Sequence, residues 1–171
     1  MRPISKPTVW QQNKMNKVQL HQQLMKHLQQ LLNNAKLAAK QAHEAATSEE
    51  NIAESRYDTL AIEAAYLAQG QSQRVIQCQA DLDACINLPT SKSTIGEIGA
   101  LIVLVDEQKQ AKYLLICPVA GGMKLKWDQH TVLVITPQSP MGRALFNQQL
   151  DDEVAITIAD KKQHYEILQI I

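Results

Sequence analysis

The stretch LHQQLMKHLQQLLNNAKLAAKQAHEAA, residues 20–46, decides the fold of the N-terminal half of the chain. Neither Gly nor Pro interrupts it. Its apolar residues recur at alternating spacings of four and three, the pattern of a helix that packs lengthwise against a partner helix. This pattern predicts a helix over residues 18–46, with leucines at one end and alanines at the other. The predicted seam is Leu24, Leu28, Leu31, Ala35, Ala38, Ala42 and Ala45.

A second helix is predicted over residues 48–88, because the same spacing returns there. Thr47 and Glu50 fit a capping box that would start this helix. Its alanines lie near the turn and its bulk at the far end, so the two helices form an antiparallel coiled-coil hairpin. The alternative is two helices that each pack on another element. The second seam is Tyr57, Ala61, Ala64, Ala68, Gln71, Val75, Cys78, Leu82 and Cys85.

Beyond residue 88 the hydrophobic periodicity changes from helical to strand-like. Pro89 ends the helix and small polar residues follow it, which indicates a linker. Ser139 at the N-cap and Pro140 at the first helical position predict one short helix over residues 139–146. Apolar runs predict strands over residues 98–105, 113–117, 131–136, 154–158 and 165–170.

The predicted fold class is α+β with two domains. Residues 1–88 form the coiled-coil hairpin, with an acidic tip near residues 47–58. Residues 89–94 form the linker, and residues 95–171 form an antiparallel sheet with one helix on it.

Charge divides the predicted hairpin into a basic and an acidic arm. Residues 1–46 contain seven Lys or Arg and one acid, whereas residues 47–88 contain seven acids and two Arg. A neutral chain with one polarised half favours a specific charged docking surface over bulk nucleic-acid binding. No apolar run approaches the ~20 residues that span a bilayer. The first residues lack the apolar core of a signal peptide, so a cytoplasmic location is expected.

The sequence contains no self-contained catalytic motif. The chain has no GxxxxGK[ST], GxGxxG, HExxH or GxSxG motif. Ser139 as a nucleophile lacks a placed base, and capping already explains it. The three cysteines lack metal-ligand spacing and are expected to be buried free thiols. An enzyme in its own right is therefore not predicted.

An acidic ladder near the predicted turn is the strongest chemical signal. Glu50, Glu54 and Asp58 lie four residues apart, which would stack them on one helical face although like charges at this spacing are destabilising. Carboxylates suit Mg²⁺, but two or three alone bind it weakly. The ladder therefore indicates a partial metal site that another protein completes. A solvated acidic face is the alternative, and for Glu49 and Glu50 a favourable helix N-terminus is a structural explanation.

The chain resembles the Gre transcript-cleavage factors of bacterial RNA polymerase. Residues 135–145 (ITPQSPMGRAL), residues 152–154 (DEV) and residues 165–168 (YEIL) resemble that family's C-terminal signatures in order and register. At the tip, alignment on Tyr57 puts Glu50 at the family's first acid. Glu54 lies one residue beyond the second.

The resemblance implies an FKBP-like C-terminal domain that docks on RNA polymerase, with Ser139, Pro140 and Arg143 as docking residues. The coiled coil would enter the polymerase's secondary channel. There, Glu50 and Glu54, with Glu49 in reserve, would help to hold a Mg²⁺ shared with the polymerase active site and stimulate cleavage of the RNA 3′ end. No tightly bound cofactor and a monomer are expected.

The resemblance leaves two other functions open. One is a secondary-channel regulator that binds the polymerase without provoking cleavage. The other is a coiled-coil interaction module without a polymerase contact. Lysines of the basic arm would face the channel walls or RNA phosphates, or only keep the coil soluble. These lysines are Lys14, Lys17, Lys26, Lys36 and Lys40.

Overall fold

Two long helices form the N-terminal part of the protein. The computed structural model describes residues 17–47, 59–158 and 161–171. Helix α1 spans Lys17–Thr47 and α2 spans Thr59–Ile86, and the two pack against each other. The imidazole Nε2 of His21, near the start of α1, lies 2.8 Å from the carbonyl oxygen of Cys85, near the end of α2. The helices are therefore antiparallel, as predicted. The predicted start of the second helix lies outside the described residues.

The buried face of α1 differs from the predicted seam at two positions. Leu31 is 43% exposed and Leu32 is 2% exposed, so Leu32 takes the core position. Ala45 is also exposed. The buried leucines recur every four residues because the lower half of α1 packs on the sheet as well as on α2, which turns its buried face away from a strict heptad. In α2 the predicted positions from Ala61 to Cys85 are all buried or half-buried.

The C-terminal part is a six-stranded sheet with one short helix. The sheet order is β3-β4-β2-β1-β6-β5. Helix α3 spans Pro140–Leu145. The strands are β1 Leu101–Asp106, β2 Ala111–Ile116, β3 Lys124–Trp127, β4 His130–Ile135, β5 Glu153–Ile158 and β6 Lys161–Ile170.

The α+β fold class is confirmed, but the sheet is mixed and the prediction of a wholly antiparallel sheet was wrong at one pair. Strands β2 and β4 run parallel, with Tyr113 opposite Val132. The cause is β3, which the sequence prediction missed. It pairs antiparallel with β4 at the sheet edge. Residues 117–123 carry the chain past the position beside β2, and β4 then fills that position in the same direction as β2.

Hydrophobic side chains cover both faces of the sheet. One face, which includes Leu101 and Val103, shares a core with leucines of α1 and with Leu82 and Cys85 of α2. The other face, which includes Ile102 and Ile116, forms a core with Leu145 of α3. The base of the helix pair is thus anchored on the sheet rather than joined to it only through residues 87–100.

Two polar side chains of α1 strengthen this junction. The side-chain amide of Gln23 donates to the carbonyl oxygen of Lys126 at 2.8 Å and accepts from its backbone N–H at 3.1 Å. Lys17 is only 5% exposed, and its ammonium donates to the carbonyl oxygens of Ser91 and Ile171. Because both contacts reach residues distant in sequence, they fix the base of α1 relative to the sheet.

Candidate functional site

Helix α3 is positioned by its own cap. The Ser139 hydroxyl donates to the carbonyl oxygen of Thr136 at 2.7 Å and accepts from the backbone N–H of Gly142 at 3.0 Å. Pro140 occupies the first helical position, where a missing N–H costs nothing. The predicted capping role of Ser139 is confirmed. Its hydroxyl makes two hydrogen bonds within the chain, which fix the direction in which α3 starts.

Two glycines let α3 lie against its neighbours. A Cβ on Gly142 would come within 1.9 Å of the carbonyl oxygen of Thr136, and a Cβ on Gly96 within 1.9 Å of the carbonyl oxygen of Leu145. Either contact is far shorter than atoms tolerate. Gly96 also pairs with the residues that follow α3, since Asn147 donates its backbone N–H to the Gly96 carbonyl oxygen at 2.7 Å. The short helix is therefore clamped at both ends.

The clamped helix presents Pro140 and Arg143 to solvent. Both side chains are exposed, whereas Leu145 is fully buried in the core beneath them. Arg143 lies in the last turn of α3, where a cation is favourable. A guanidinium on a rigid, short helix can make bidentate contacts with a carboxylate of a partner. Of the three predicted docking residues, these two form the accessible surface, and Ser139 supports them.

The predicted acidic tip lies outside the described residues. Glu49, Glu50, Glu54 and Asp58 all fall between the end of α1 and the start of α2. Within the described ranges, no group of three or more His, Cys, Asp or Glu side chains is arranged to hold a metal ion. The proposed Mg²⁺ ligands therefore remain a sequence-based prediction.

The basic arm is divided between a buried base and an exposed shaft. Lys26, Lys36 and Lys40 are exposed, and Lys40 makes an ion pair with Glu44 at 3.6 Å. The prediction that Lys17 faces outward was wrong, because its two carbonyl contacts hold it in the junction. Burial lowers the pKa of Lys17, and the charge of Glu97 opposes that shift.

The cysteines are structural rather than reactive. All three are free thiols; Cys85 and Cys117 are buried and Cys78 is half-buried. Burial, with a smaller contribution from Cys85, raises the pKa of Cys117 to about 12. Burial, with a smaller contribution from Asp81, also raises the pKa of Cys85. Since the thiolate is the nucleophile, neither buried thiol suits catalysis at neutral pH.

A shallow groove of about 440 Å³ lies at the open end of the sheet, between the β1–β2 turn and the start of β6. Lys112 donates to the hydroxyl of Tyr165 at 2.7 Å and also lies over its ring. Asp106 and Glu107 line the same groove. Charges of both signs are mixed here, so the groove selects no particular class of charged ligand.

The sequence model of the family "Transcription elongation factor, GreA/GreB, C-term" matches residues 94–171. This range contains the whole sheet, α3 and its cap. The chain carries a GreA/GreB C-terminal domain. The match confirms the resemblance to the Gre family, and it lies on the part of the chain whose signatures supported that resemblance. The matched range does not include α1 or α2. No curated protein sequence matches the chain significantly.

Solved structures of Gre-type proteins are similar to this chain over most of its length. GreA factor homolog 1 (Gfh1) of Thermus thermophilus is 16% identical, covers 86% of this chain and 94% of its own, and has a TM-score of 0.36. Thermus aquaticus Gfh1 is 19% identical, with coverages of 88% and 93% and a TM-score of 0.38. A GreA/GreB factor from Nitrosomonas europaea is 15% identical, with coverages of 64% and 91% and a TM-score of 0.33. The assignment of residues 94–171 to a GreA/GreB C-terminal domain rests on the sequence match and not on these scores.

Sequence reasoning missed the junction between the helix pair and the GreA/GreB domain. Gln23 is one of many glutamines in α1, and no spacing marks it as the residue that pairs with Lys126. The sequence gives a weak indication that Lys17 is buried, since this residue begins a helix whose buried face continues in leucines. Among the described residues, no helix combines the length and the apolar character that crossing a bilayer requires.

Proposed function

We propose that this chain is a transcription elongation factor that binds bacterial RNA polymerase, inserts its helix pair into the secondary channel and stimulates cleavage of backtracked RNA. The observation that carries the proposal is the GreA/GreB C-terminal domain with α3 clamped and Arg143 exposed on it. In this proposal the GreA/GreB domain docks through Pro140 and Arg143, and one copy of the factor acts on each cytoplasmic polymerase.

The helix pair is long enough to extend from a docked GreA/GreB domain into a channel of the polymerase. Helix α1 has 31 residues and spans about 46 Å at 1.5 Å per residue. Its base is held on the sheet by Lys17, Gln23 and the shared core. A rod that is fixed at one end can deliver its far end to a defined depth. Along its shaft, Lys26, Lys36 and Lys40 are placed to contact phosphates or acidic channel walls.

The chemistry belongs to the polymerase, and this chain contributes ligands. Carboxylate oxygens of Glu50 and Glu54, with Glu49 as a further donor, have the hard character that Mg²⁺ prefers. When bound, Mg²⁺ would activate water and stabilise the leaving oxygen in the polymerase's own site. In this proposal the carboxylates would hold the ion and orient the water. The factor therefore stimulates a reaction that it does not catalyse alone.

A second candidate is a polymerase regulator that occupies the channel without cleavage. The observation in its favour is the position of Glu54, one residue beyond the acid that the family pattern places there. A shift of one residue turns a helical side chain by about 100°. In this candidate the docking surface is the same and only the tip differs.

A stalled, backtracked elongation complex tests both candidates. Wild-type factor is expected to release short RNA 3′ fragments, and the Glu50→Ala/Glu54→Ala variant is expected to bind the polymerase and release none above background. Binding of the wild type without cleavage would establish the second candidate. Failure of the wild type to bind the polymerase would overturn both.

A further inference from the structure

The two edges of the sheet differ in how they are protected. At the β3 edge, the Gln23 side chain occupies both backbone hydrogen-bonding groups of Lys126. The exposed lysines Lys124 and Lys126 add charge on the same strand. Charged residues and covering side chains are common devices that stop an edge strand from pairing with another chain. The β3 edge is therefore blocked at Lys126.

The β5 edge is less protected: among the described residues no side chain is seen to bond its free backbone groups, and its one charged residue, Glu153, stands at the first position of the strand. Within the described residues, β5 pairs only with β6 and leaves its other side without a strand. Its sequence, EVAITI over residues 153–158, contains no Lys and no Pro. Val154 and Ile156 are buried in the core with Leu145 of α3, which anchors the strand from one face. An ordered, uncovered edge whose central residues have high β propensity is a site for strand addition.

Charges beside β5 indicate what the added strand is. On the exposed face of the β5–β6 ladder, Glu153 stands opposite Glu166, and Thr157 stands opposite Lys162. Two acids opposite each other are destabilising. Among the described residues, neither acid has a basic partner within 4 Å. The end of the ladder at Glu153 and Glu166 is therefore acidic, whereas the end at Thr157 and Lys162 carries a positive charge.

We propose that β5 pairs antiparallel with β5 of a second copy of this chain, about a two-fold axis at Ala155. In this register Glu153 faces Thr157 of the second copy, and Lys162 of that copy lies on the next strand. Each acidic end therefore meets a basic end. Ala155 faces its own counterpart, where its small side chain leaves room, and Val154 faces Ile156 on the core side. A self-complementary patch of this kind is what a two-fold dimer requires.

The proposed interface buries a small area, so the dimer is expected to be weak. Two six-residue strands bury less than the roughly 1,200–2,000 Å² of stable protein complexes. The dimer is therefore expected to form in the micromolar range or above and to dissociate on dilution. This inference concerns the free protein, goes beyond the one-copy polymerase complex proposed above, and does not depend on it.

Sedimentation velocity of the full chain over a range of concentrations tests the dimer. The wild type is expected to shift from monomer to dimer as concentration rises. Ala155→Lys places two lysines against each other on the axis and is expected to raise the dissociation constant by about tenfold or more. The matched control is Ala111→Lys, at an exposed position of β2 away from this edge, and it is expected to dimerise like the wild type. A wild type that stays monomeric, or a dimer that survives Ala155→Lys, would overturn the proposal.

Exchanging the charges at Glu153 and Lys162 tests the proposed strand register and distinguishes a lost contact between copies from a misfolded variant. Glu153→Lys alone and Lys162→Glu alone are each expected to weaken the dimer by up to about fivefold per contact, as exposed ion pairs do. The double variant restores opposite charges and is expected to recover most of the affinity. Within one chain these two residues are not opposite each other, so recovery reports the contact between copies. Losses that simply add in the double variant would contradict this register.

Discussion

The base and the far part of the helix pair are packed in different ways. Near the sheet, α1 buries Leu20, Leu24, Leu28 and Leu32, and α2 buries Leu82 and Cys85. Farther out, α1 buries only alanines, and the seam of α2 from Ala61 to Val75 is half-buried. Large apolar residues such as Leu37, Leu60 and Tyr66 are exposed in this far part.

This difference indicates that the base of the helix pair provides most of its stability, whereas the far part is free to serve the function. The base buries the large apolar side chains in the core shared with the sheet, so it holds the helices together and fixes them on the sheet. The far part has small seam residues that allow close approach of the helices but contribute less burial. Local opening is therefore expected to begin away from the sheet. In the proposed function, that weakly packed end is the one that carries the acidic tip.

The largest expected effect is at the base. Leu24 is fully buried in the core shared by the helices and the sheet. Leu24→Ala is expected to lower the free energy of unfolding by about 2–5 kcal/mol, because it removes buried area and leaves a cavity. The control is Leu37→Ala, at a side chain that is 57% exposed, and its change should stay within about 0.5 kcal/mol. Equal losses in urea denaturation would contradict the division between base and far part.

Lys17→Met tests the polar half of the same junction. The substitution keeps roughly the length of the side chain but removes the ammonium donor from the oxygens of Ser91 and Ile171. The Ile171 oxygen still accepts the backbone N–H of Leu101 at 3.1 Å, so the loss falls mainly on Ser91. A loss of about 1–3 kcal/mol in the free energy of unfolding is expected. Denaturant unfolding measures it, and a neutral or stabilising result would mean that the contacts do not offset the burial of the charge.

The difference in unfolding free energy between the wild type and Lys17→Met is expected to depend on pH. Burial lowers the pKa of Lys17 in the folded state below its ordinary value of 10.5. Between the two pKa values the unfolded chain binds more protons, so stability rises with pH. The wild type is therefore expected to gain unfolding free energy relative to Lys17→Met as the pH rises from neutral towards the ordinary lysine pKa of 10.5. A difference that stays constant or shrinks over this window would show that Lys17 is not desolvated.

The smallest expected effect lies in the far part of α2. Gly70 is exposed, and a Cβ there would have no atom within 4 Å. Gly70→Ala is expected to stabilise the protein by up to about 1 kcal/mol, because alanine favours the helix. The contrast is Gly142→Ala, whose Cβ would meet Thr136, and a loss of more than about 1 kcal/mol is expected there. Thermal unfolding distinguishes them, and a destabilising Gly70→Ala would reveal a contact near Gly70 within the chain.

Local patterns predicted most of this fold, and the errors have physical causes. Seam spacing predicted the antiparallel helix pair, and Ser139 with Pro140 predicted α3. Leu31 was assigned to the core because a heptad describes contact with a helix only, whereas α1 also contacts the sheet. The direction of β4 was wrong because four-residue β3 gives too short an apolar pattern to recognise. Lys17 and Gln23 act through residues far away in sequence, which no local spacing reveals.

The central claim is that the GreA/GreB domain docks on RNA polymerase and that the acidic tip stimulates RNA cleavage. The most direct test measures cleavage of backtracked RNA against factor concentration for Arg143→Ala and for Glu50→Ala/Glu54→Ala. Arg143→Ala is expected to raise the half-saturating concentration about tenfold, as for an interface hot spot, and to leave cleavage at saturation unchanged. The tip variant is expected to keep the wild-type affinity for the polymerase and to lose cleavage. Two variants that change the same parameter, or a tip variant that cleaves like the wild type, would contradict this account.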